Sequence, residues 1–309
     1  MAQPHMKVSH ATPEMARTPL RWIQEAVAAI DPQELRTWVE HLSRPRHRIA
    51  QARQNYATAE WIAGQLRSWG YTVEIQGPLR NVAAIGPRKP RHFTLIGAHY
   101  DSVPATLGAD DNASAVASLL ACAKVCAPAV LNGSADLVFV AFNGEEDHLL
   151  GSRAFVQQML EDRSLKLRVA HVLEMVGYAD STPGSQKSPP DLPLTLPDRG
   201  DFLGLVANRD TGAAFVEALT SAATYVKGFP VVGVQVPHGL EEHFPVLLRS
   251  DHASFWEHRL PSMMWTDTSE FRNPYYHTTQ DSPETLDYSY LQRVTQVLVA
   301  SILGASVVS

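Results

Sequence analysis

The chain has 309 residues, 45% of them hydrophobic and 19% charged, with 26 basic and 32 acidic residues and a formal net charge of −6. This is an ordinary globular composition, and the length is enough to bury a large core, so neither a disulfide nor a metal is needed merely to fold. The acidic excess is mild and no basic stripe is present, which argues against nucleic acid as a partner.

The first 25 residues mix Pro, His, Ser and Thr without periodicity, and they predict a loose N-terminal arm before one folded domain over residues 26–309. The arm lacks the apolar run of a signal peptide, and no stretch reaches the ~18 apolar residues of a membrane span. We therefore expect a cytoplasmic protein without a membrane span, or a periplasmic or secreted one if a leader is removed. The oligomeric state is left open.

The predicted elements then alternate. A helix opens at Asp31-Pro32, and a second over 57–69 ends at Gly70. Extended segments follow at 71–75, 81–85 and 92–98, then helix 113–125, strand 136–142, helix 149–160 and strand 168–176. After a proline-rich surface loop at 181–200 come strand 202–207, helix 211–225, strands 230–236 and 261–266, and a closing helix over 286–303. This order predicts a single α/β domain with a mixed, mostly parallel central sheet flanked by helices.

The two cysteines, Cys122 and Cys126, lie four residues apart in the apolar pattern of the third helix. This spacing predicts two small core residues on one helix face, and it indicates neither a disulfide framework nor a cysteine-rich zinc site.

Polar residues follow several of the apolar strands, where open α/β sheets bind their ligands. They are His99 and Asp101, the pair Asp110-Asp111 before a helix, Glu145 and Glu146, and Glu174, with His277 in a later loop. Each motif alone has an ordinary explanation, such as a helix N-cap for Asp110-Asp111. Together they gather several carboxylates at one sheet edge with few cations nearby. A divalent ion would relieve the repulsion, and imidazole with carboxylate oxygen is a ligand set suited to zinc.

Five segments in this order resemble the M28 family of zinc peptidases, which includes bacterial aminopeptidases and has glutaminyl cyclases as relatives. They are HYDS (99–102), GADDNAS (108–114), NGEED (143–147), LEMVGY (173–178) and YHTTQDSPETL (276–286). The resemblance covers roughly residues 50–305. It implies that the domain over 26–309 is a zinc peptidase catalytic domain that binds two Zn²⁺ ions and acts on peptides.

The resemblance also implies roles for individual residues. His99 and Glu174 would bind the first zinc, Glu146 and His277 the second, and Asp110 would bridge both, with a cis peptide expected between Asp110 and Asp111. Asp101 would accept the other ring N–H of His99, as carboxylates behind a metal-bound imidazole commonly do. Glu174 departs from the commonest pattern, which has Asp there.

Glu145 is the candidate general base, because it adjoins a ligand without being one. Counting two Zn²⁺, four carboxylates and one hydroxide leaves a charge of about −1, which favours a substrate with a free α-ammonium and hence an aminopeptidase. Tyr276 is a candidate oxyanion donor or a packed tyrosine at the cleft rim. Asp251 is predicted to contact substrate or to cap a helix, and Arg272 to contact substrate or to form a buried salt bridge.

Three functions remain open at this point. The first is a two-zinc aminopeptidase that cleaves the N-terminal peptide bond. The second is a glutaminyl-peptide cyclotransferase-like enzyme with a single zinc, which the same carboxylates could serve. The third is a non-catalytic binding module, which predicts a missing ligand or base, and none is missing. The proline-rich loop and residues 238–249 are predicted to fold over the cleft.

Overall fold

A mixed β-sheet organises the part of the chain that the computed structural model describes, residues 5–190 and 192–308. Within those residues the sheet has nine strands, in the order β1-β8-β7-β9-β6-β4-β5-β3-β2. The strands are β1 (Lys7–His10), β2 (Thr72–Gln76), β3 (Asn81–Ile85), β4 (His92–His99), β5 (Leu137–Phe142), β6 (Lys166–Glu174), β7 (Leu203–Asn208), β8 (Val231–Val236) and β9 (Ser262–Thr266).

Eight α-helices lie within the same described part of the chain. They are α1 (Arg21–Ala28), α2 (Pro32–Leu42), α3 (Ala52–Ser68), α4 (Ala115–Leu131), α5 (Leu150–Glu161), α6 (Gly212–Tyr225), α7 (His252–Trp256) and α8 (Tyr288–Val308). The predicted single α/β domain with a mixed, helix-flanked sheet is confirmed.

Parallel pairing holds the middle of the sheet. Strands β9, β6, β4 and β5 are neighbours in that order and run in the same direction, and β8 is parallel to β7. The other four pairings are antiparallel and lie toward the edges or join the two parallel groups. All six residues of β5 are buried, as expected for a parallel strand covered on both faces. The carboxyl ends of the four central strands therefore meet at one edge of the sheet.

Helices pack on one face of the sheet. The long C-terminal helix α8 packs against α1, α2, α4 and α6, and their apolar side chains form the largest core cluster. On the opposite face, α5 and α7 cover the central strands through Phe155 and Phe255. The same face of β7 and β8 is covered by Leu194 of the proline-rich loop and Leu247 of a short 3-10 turn, together with Trp256 of α7. Most of the side chains that cover this face therefore come from outside the α-helices given above.

The N-terminal segment is more ordered than the predicted loose arm over residues 1–25. Residues Lys7–His10 form the edge strand β1, which pairs with β8, and α1 already begins at Arg21. Arg17 also forms an ion pair with Glu217 of α6. Strand β1 was not predicted because it has only four residues and lacks an apolar alternation, and its order depends on a distant partner strand. Residues 1–4 lie outside the described residues.

The apolar segment Ala109–Leu131, which includes α4, is long and apolar enough to cross a membrane, with a mean hydropathy of 1.8. The sequence prediction of no such stretch was therefore too strict. Of that segment's most apolar window, 72% is buried inside the protein, which is the behaviour of a core helix. Cys122 and Cys126 are both buried on this helix with their Sγ atoms 4.0 Å apart, and they form no disulfide.

Candidate metal centre

Side chains from several distant segments meet at the carboxyl edge of the parallel strands. His99 is the last residue of β4 and Glu174 the last of β6, while Glu145 and Glu146 follow β5. His277 lies in the loop before α8. The convergence predicted from the strand ends is therefore present for all five of these side chains.

Asp111, and not Asp110, completes the cluster. Its Oδ1 lies 3.3 Å from Nε2 of His99, and its Oδ2 lies 3.1 Å from Nε2 of His277. The non-proline cis peptide joins Asp111 to Asn112, one residue later than predicted. The prediction of Asp110 as the bridging residue, with a cis bond between Asp110 and Asp111, is corrected by one position.

Asp110 instead lies behind the cluster, fully buried. Its Oδ1 accepts a hydrogen bond from the backbone N–H of Gly177 at 2.9 Å, and its Oδ2 accepts one from Nδ2 of Asn273 at 2.7 Å. The turn that sets this register starts at Gly108, which has a φ of +58°. A Cβ at Gly108 would lie 2.3 Å from the carbonyl oxygen of Asp111, so glycine is required there.

The cluster divides into two groups of three possible ligands around Asp111. One group is His99, Glu145 and Glu174, and the other is Asp111, Glu146 and His277; within each, one ligand atom per residue lies within 4.8 Å of the others. Nε2 of His99 is 3.4 Å from Oε2 of Glu174, and Nε2 of His277 is 3.3 Å from Oε2 of Glu146. Each oxygen of Asp111 thus faces one of the two groups, which suits a bridging carboxylate.

The protonation preferences of these side chains reflect a crowded, acidic site. Burial raises the pKa of Glu145 well above its usual range, although the neighbouring His99 opposes the shift. Burial likewise raises the pKa of Glu146 to about 7. Burial lowers the pKa of His277, but hydrogen bonds to Asp111 and Glu146 outweigh it and raise the value to about 10. The site therefore favours positive charge strongly.

Several nitrogen and oxygen atoms of the cluster lack hydrogen-bond partners and are placed to bind a metal ion. Among the described residues, both ring nitrogens of His99, Oδ1 of Asp111 and Oε1 of Glu146 are buried and have no hydrogen-bond partner. Buried polar atoms without partners are costly unless something else satisfies them. Because these atoms are imidazole nitrogens and carboxylate oxygens directed at common points, the residues present fit a divalent cation such as zinc.

Asp101 supports the cluster from behind. Its Oδ1 lies 3.5 Å from Nδ1 of His99, on the ring edge away from the other ligands. Both oxygens also accept hydrogen bonds at 3.3 Å, from the backbone N–H groups of Glu145 and Glu146. Asp101 therefore fixes the loop after β5 as well as facing the imidazole.

Tyr276 lies at the edge of the same site. Its ring stacks on His277 with the ring centroids 3.8 Å apart, and its hydroxyl oxygen accepts a hydrogen bond from Nη2 of Arg249 at 3.0 Å. Arg249 is also paired with Glu270. The hydroxyl of Tyr276 therefore keeps its own proton free to donate toward the cluster.

Asp251 and Arg272 are both buried, and a contact of either residue with substrate stays a prediction. Asp251 is fully buried and precedes α7, but its side chain does not cap that helix and both its oxygens lack a hydrogen-bond partner. Burial raises the pKa of Asp251 to about 7. Arg272 is also buried, and it donates to the carbonyl of Phe202 and to Oε1 of Gln186 in the proline-rich loop. All the hydrogen bonds that its guanidinium makes within the described residues go to uncharged groups, so Arg272 anchors the loop.

The sequence analysis missed three polar residues that hold the ligands in place. Asp281 accepts hydrogen bonds from the backbone N–H groups of both Asp110 and Asp111. Asn112 bridges its own turn to the end of β6, and Ser250 donates to Oε2 of Glu174 at 2.7 Å. Asp281 and Asn112 lie inside the motifs already noted. Their residue types alone do not indicate whether such a side chain binds backbone groups or lies on the surface.

Arg46 ties the two ligand-bearing loops to the end of α2. It is fully buried, and its guanidinium donates hydrogen bonds to five backbone carbonyls, those of Leu42, Arg44, Tyr100, Leu107 and Gly108. Tyr100 lies between His99 and Asp101, and Gly108 opens the turn to Asp111. A single side chain thus sets the spacing between the two loops.

We expect Arg46→Met to lower the free energy of unfolding by about 3 kcal/mol or more, because several buried carbonyls would lose their donor. Urea denaturation followed by circular dichroism measures this loss. Arg67→Met, on the exposed side of α3, is the matched control and should stay close to the wild type. Equal denaturation midpoints for the two variants would contradict the role assigned to Arg46.

A large apolar cavity, which we call the apolar chamber, opens onto the cluster. The centre of a water-sized sphere can occupy about 120 Å³ of it, and Asp111, Glu145, Glu174 and His277 line its mouth. Residues of the proline-rich loop and of the segment after β8 form part of its wall, among them Leu192, Leu194, Leu196, Val246 and Leu247. Both segments thus lie against the cleft.

Comparison with known proteins agrees with this site. The family described as Peptidase family M28 matches residues 81–302. The uncharacterized protein YfbL of Escherichia coli strain K12 is 33% identical over 298 residues, which cover 89% of this chain and 88% of that protein. Aminopeptidase YwaD of Bacillus subtilis strain 168 is 28% identical over 229 residues, covering 72% of this chain and 44% of that protein. This chain belongs to peptidase family M28 and is a metallopeptidase by class.

Solved structures share the fold. The LapA aminopeptidase of Legionella pneumophila superimposes with a TM-score of 0.71 at 20% identity, covering 92% of this chain and 74% of that one. A zinc aminopeptidase of Bacillus subtilis gives 0.53 at 24%, covering 73% and 49%. The glutaminyl cyclase of Porphyromonas gingivalis gives 0.67 at 19%, covering 89% and 99%. Both activities proposed from the sequence thus occur on this fold.

Proposed function

We propose that this chain is an aminopeptidase that removes the N-terminal residue of peptides and uses two zinc ions. The observation that carries the proposal is the position of Asp111, whose two oxygens face two separate groups of ligands, each with its own histidine. A single-metal enzyme needs only one of these groups. The zinc aminopeptidase with the same fold supports the choice of metal.

When bound, zinc would supply Lewis-acid chemistry, polarising the scissile carbonyl and making water more acidic. Within this chain, His99 and Glu174 would hold one ion, Glu146 and His277 the other, and Asp111 would bridge them. Asp101 would orient the ring of His99.

Glu145 would move the proton. Its Oε2 lies 3.9 Å from Nε2 of His99, so the carboxylate borders the space where water and the scissile bond must meet. Glu145 would take a proton from the attacking water as the new C–O bond forms, and it would deliver that proton to the amine nitrogen as the C–N bond breaks in the second step. The hydroxyl of Tyr276, held by Arg249, would donate to the oxygen of the tetrahedral intermediate.

The carboxylates that surround the site would also select the substrate's free α-ammonium group. Arg249, the arginine that lines the mouth in the described part of the chain, is already paired with Glu270. A terminal carboxylate would find no unpaired cation among the described residues that line the mouth. This charge distribution favours the amino end of a peptide over its carboxyl end.

The test measures zinc per chain together with the products. Purified protein is assayed for zinc and then offered aminoacyl p-nitroanilides and peptides that begin with Gln. We expect about two zinc ions per chain and release of free N-terminal amino acids, both lost after chelation and restored by zinc. Conversion of Gln peptides to pyroglutamyl peptides with one zinc, and without amino-acid release, would instead support the cyclase.

A further inference from the structure

The apolar chamber has a floor made of two rows of side chains from three neighbouring strands. Thr266, Gly204 and Val232 are register partners across β9, β7 and β8 and form the first row. The second row is Met264, Val206 and Val234, again register partners. All six line the cavity. Because side chains alternate along a strand, the two rows lie on the same face and about 7 Å apart along the strands.

The first row lies next to the metal centre. Thr266 is the register partner of Glu174, one of the proposed ligands. Gly204, in the middle of that row, has no side chain, so the cavity is not blocked between the first row and the second. The chamber therefore begins at the reacting groups and extends away from them by the length of a large side chain.

The chamber is apolar along its depth. Leu192, Leu194 and Leu196 face the floor from the proline-rich loop, and Phe202 and Val246 add to the wall. Apart from the acids and the histidine at its mouth, the charged residues that line it in the described part of the chain are Arg249 and Glu270, which neutralise each other. A charged side chain placed there would lose its water and gain no counter-ion.

We propose that the apolar chamber binds the side chain of the substrate's N-terminal residue and selects large apolar side chains, aliphatic or aromatic, over small and charged ones. The proposal rests on the aminopeptidase function proposed above. The N-terminal Cα is bonded directly to the scissile carbonyl carbon, so its side chain is the group that starts at the chamber mouth. A chamber two rows deep admits leucine or phenylalanine, whereas alanine would leave most of it unfilled.

The first experiment compares the zinc-loaded protein on Phe, Leu, Ala, Lys and Glu p-nitroanilides. Kcat/KM should be at least about 100-fold higher for Phe and Leu than for Ala, since each methylene in an apolar pocket changes it about 10-fold or more. Lys and Glu should react no faster than Ala. Lys or Glu substrates as fast as Phe would overturn the proposal, as would equal values of kcat/KM for Phe and Ala.

Val206→Phe tests the depth of the chamber, because it adds a ring to the second row of the floor. It should lower kcat/KM for Phe at least about 10-fold and leave Ala within about twofold, with zinc content unchanged. Val216→Phe, the same change at a half-exposed position of α6, is the matched control and should keep the wild-type preference. An unaltered Phe-to-Ala ratio in Val206→Phe would contradict the proposal.

Binding provides a readout that does not depend on turnover. In calorimetric titrations of the zinc-loaded protein, free phenylalanine should bind at least about 10-fold more tightly than lysine, and Val206→Phe should remove that difference. If no p-nitroanilide is hydrolysed, the aminopeptidase proposal fails, and the titration still decides the chamber's selectivity. Equal affinity for phenylalanine and lysine would overturn the chamber proposal even in an active aminopeptidase.

Discussion

Glu145→Gln should reduce kcat for peptide hydrolysis by about 1,000-fold while zinc remains bound. The amide keeps the size of the side chain and its place after β5, but it cannot accept a proton from water or return one to the leaving amine. Proton transfer by a positioned side chain contributes about 10²–10⁴ in rate, and here one group would serve both transfers. Steady-state kinetics and zinc analysis on the same preparation measure both outcomes.

The matched control for this prediction is Glu161→Gln, which makes the same chemical change at the exposed end of α5. It should retain wild-type kcat. If Glu145→Gln is as active as Glu161→Gln, Glu145 is not the base. A loss of zinc in Glu145→Gln would instead make Glu145 a ligand, which its place beside His99 and Glu174 also permits geometrically.

Asp111→Asn should lower zinc content below two per chain and reduce activity by at least about 1,000-fold. Asp111 is the residue shared by the two ligand groups, and an amide offers one neutral oxygen where the carboxylate offers two charged ones. Both metal positions should therefore weaken together. Zinc analysis after dialysis, with kinetics at saturating substrate, measures the change.

Asp110→Asn is the control that the sequence itself supplies, since the two carboxylates are adjacent. Asp110 accepts hydrogen bonds from Gly177 and Asn273 and lies behind the ligands. The NH2 group of an asparagine at this position would face the N–H of Gly177 or the NH2 group of Asn273, and the unpaired donors should lower the free energy of unfolding by about 1–3 kcal/mol. Zinc content should stay at the wild-type level. If Asp110→Asn lost zinc and Asp111→Asn kept it, the bridging role would return to Asp110.

The strand ends were the informative part of the sequence for this site. Apolar runs that end in His99 and Glu174 predict both the strands and the edge where their side chains meet, because parallel strands end on the same side. Choosing between Asp110 and Asp111 needed the backbone path after Gly108, which turns the first carboxylate away from the cluster and the next one into it. Two adjacent residues of the same type carry no sequence signal for that choice.

The support around the ligands was less predictable. Arg46 lies in a segment with no motif, and its role depends on five carbonyls from three separate parts of the chain. Arg272 and Asp251 are polar residues near the predicted cleft, but whether such a residue faces substrate or the interior depends on tertiary packing. The floor of the apolar chamber depends on strand register, which the sequence of one strand does not reveal.

The position of β1 has a consequence for how the protein can be handled. Val8 and His10 pair with Val234 and Val232, so Lys7–His10 cover the outer edge of a strand whose side chains line the apolar chamber. Removing them would leave β8 as the sheet's boundary, with unbonded peptide groups able to recruit strands from other molecules. Deleting the N-terminal strand should therefore promote aggregation and change substrate selectivity. An affinity tag at the N-terminus is best separated from β1 by a spacer.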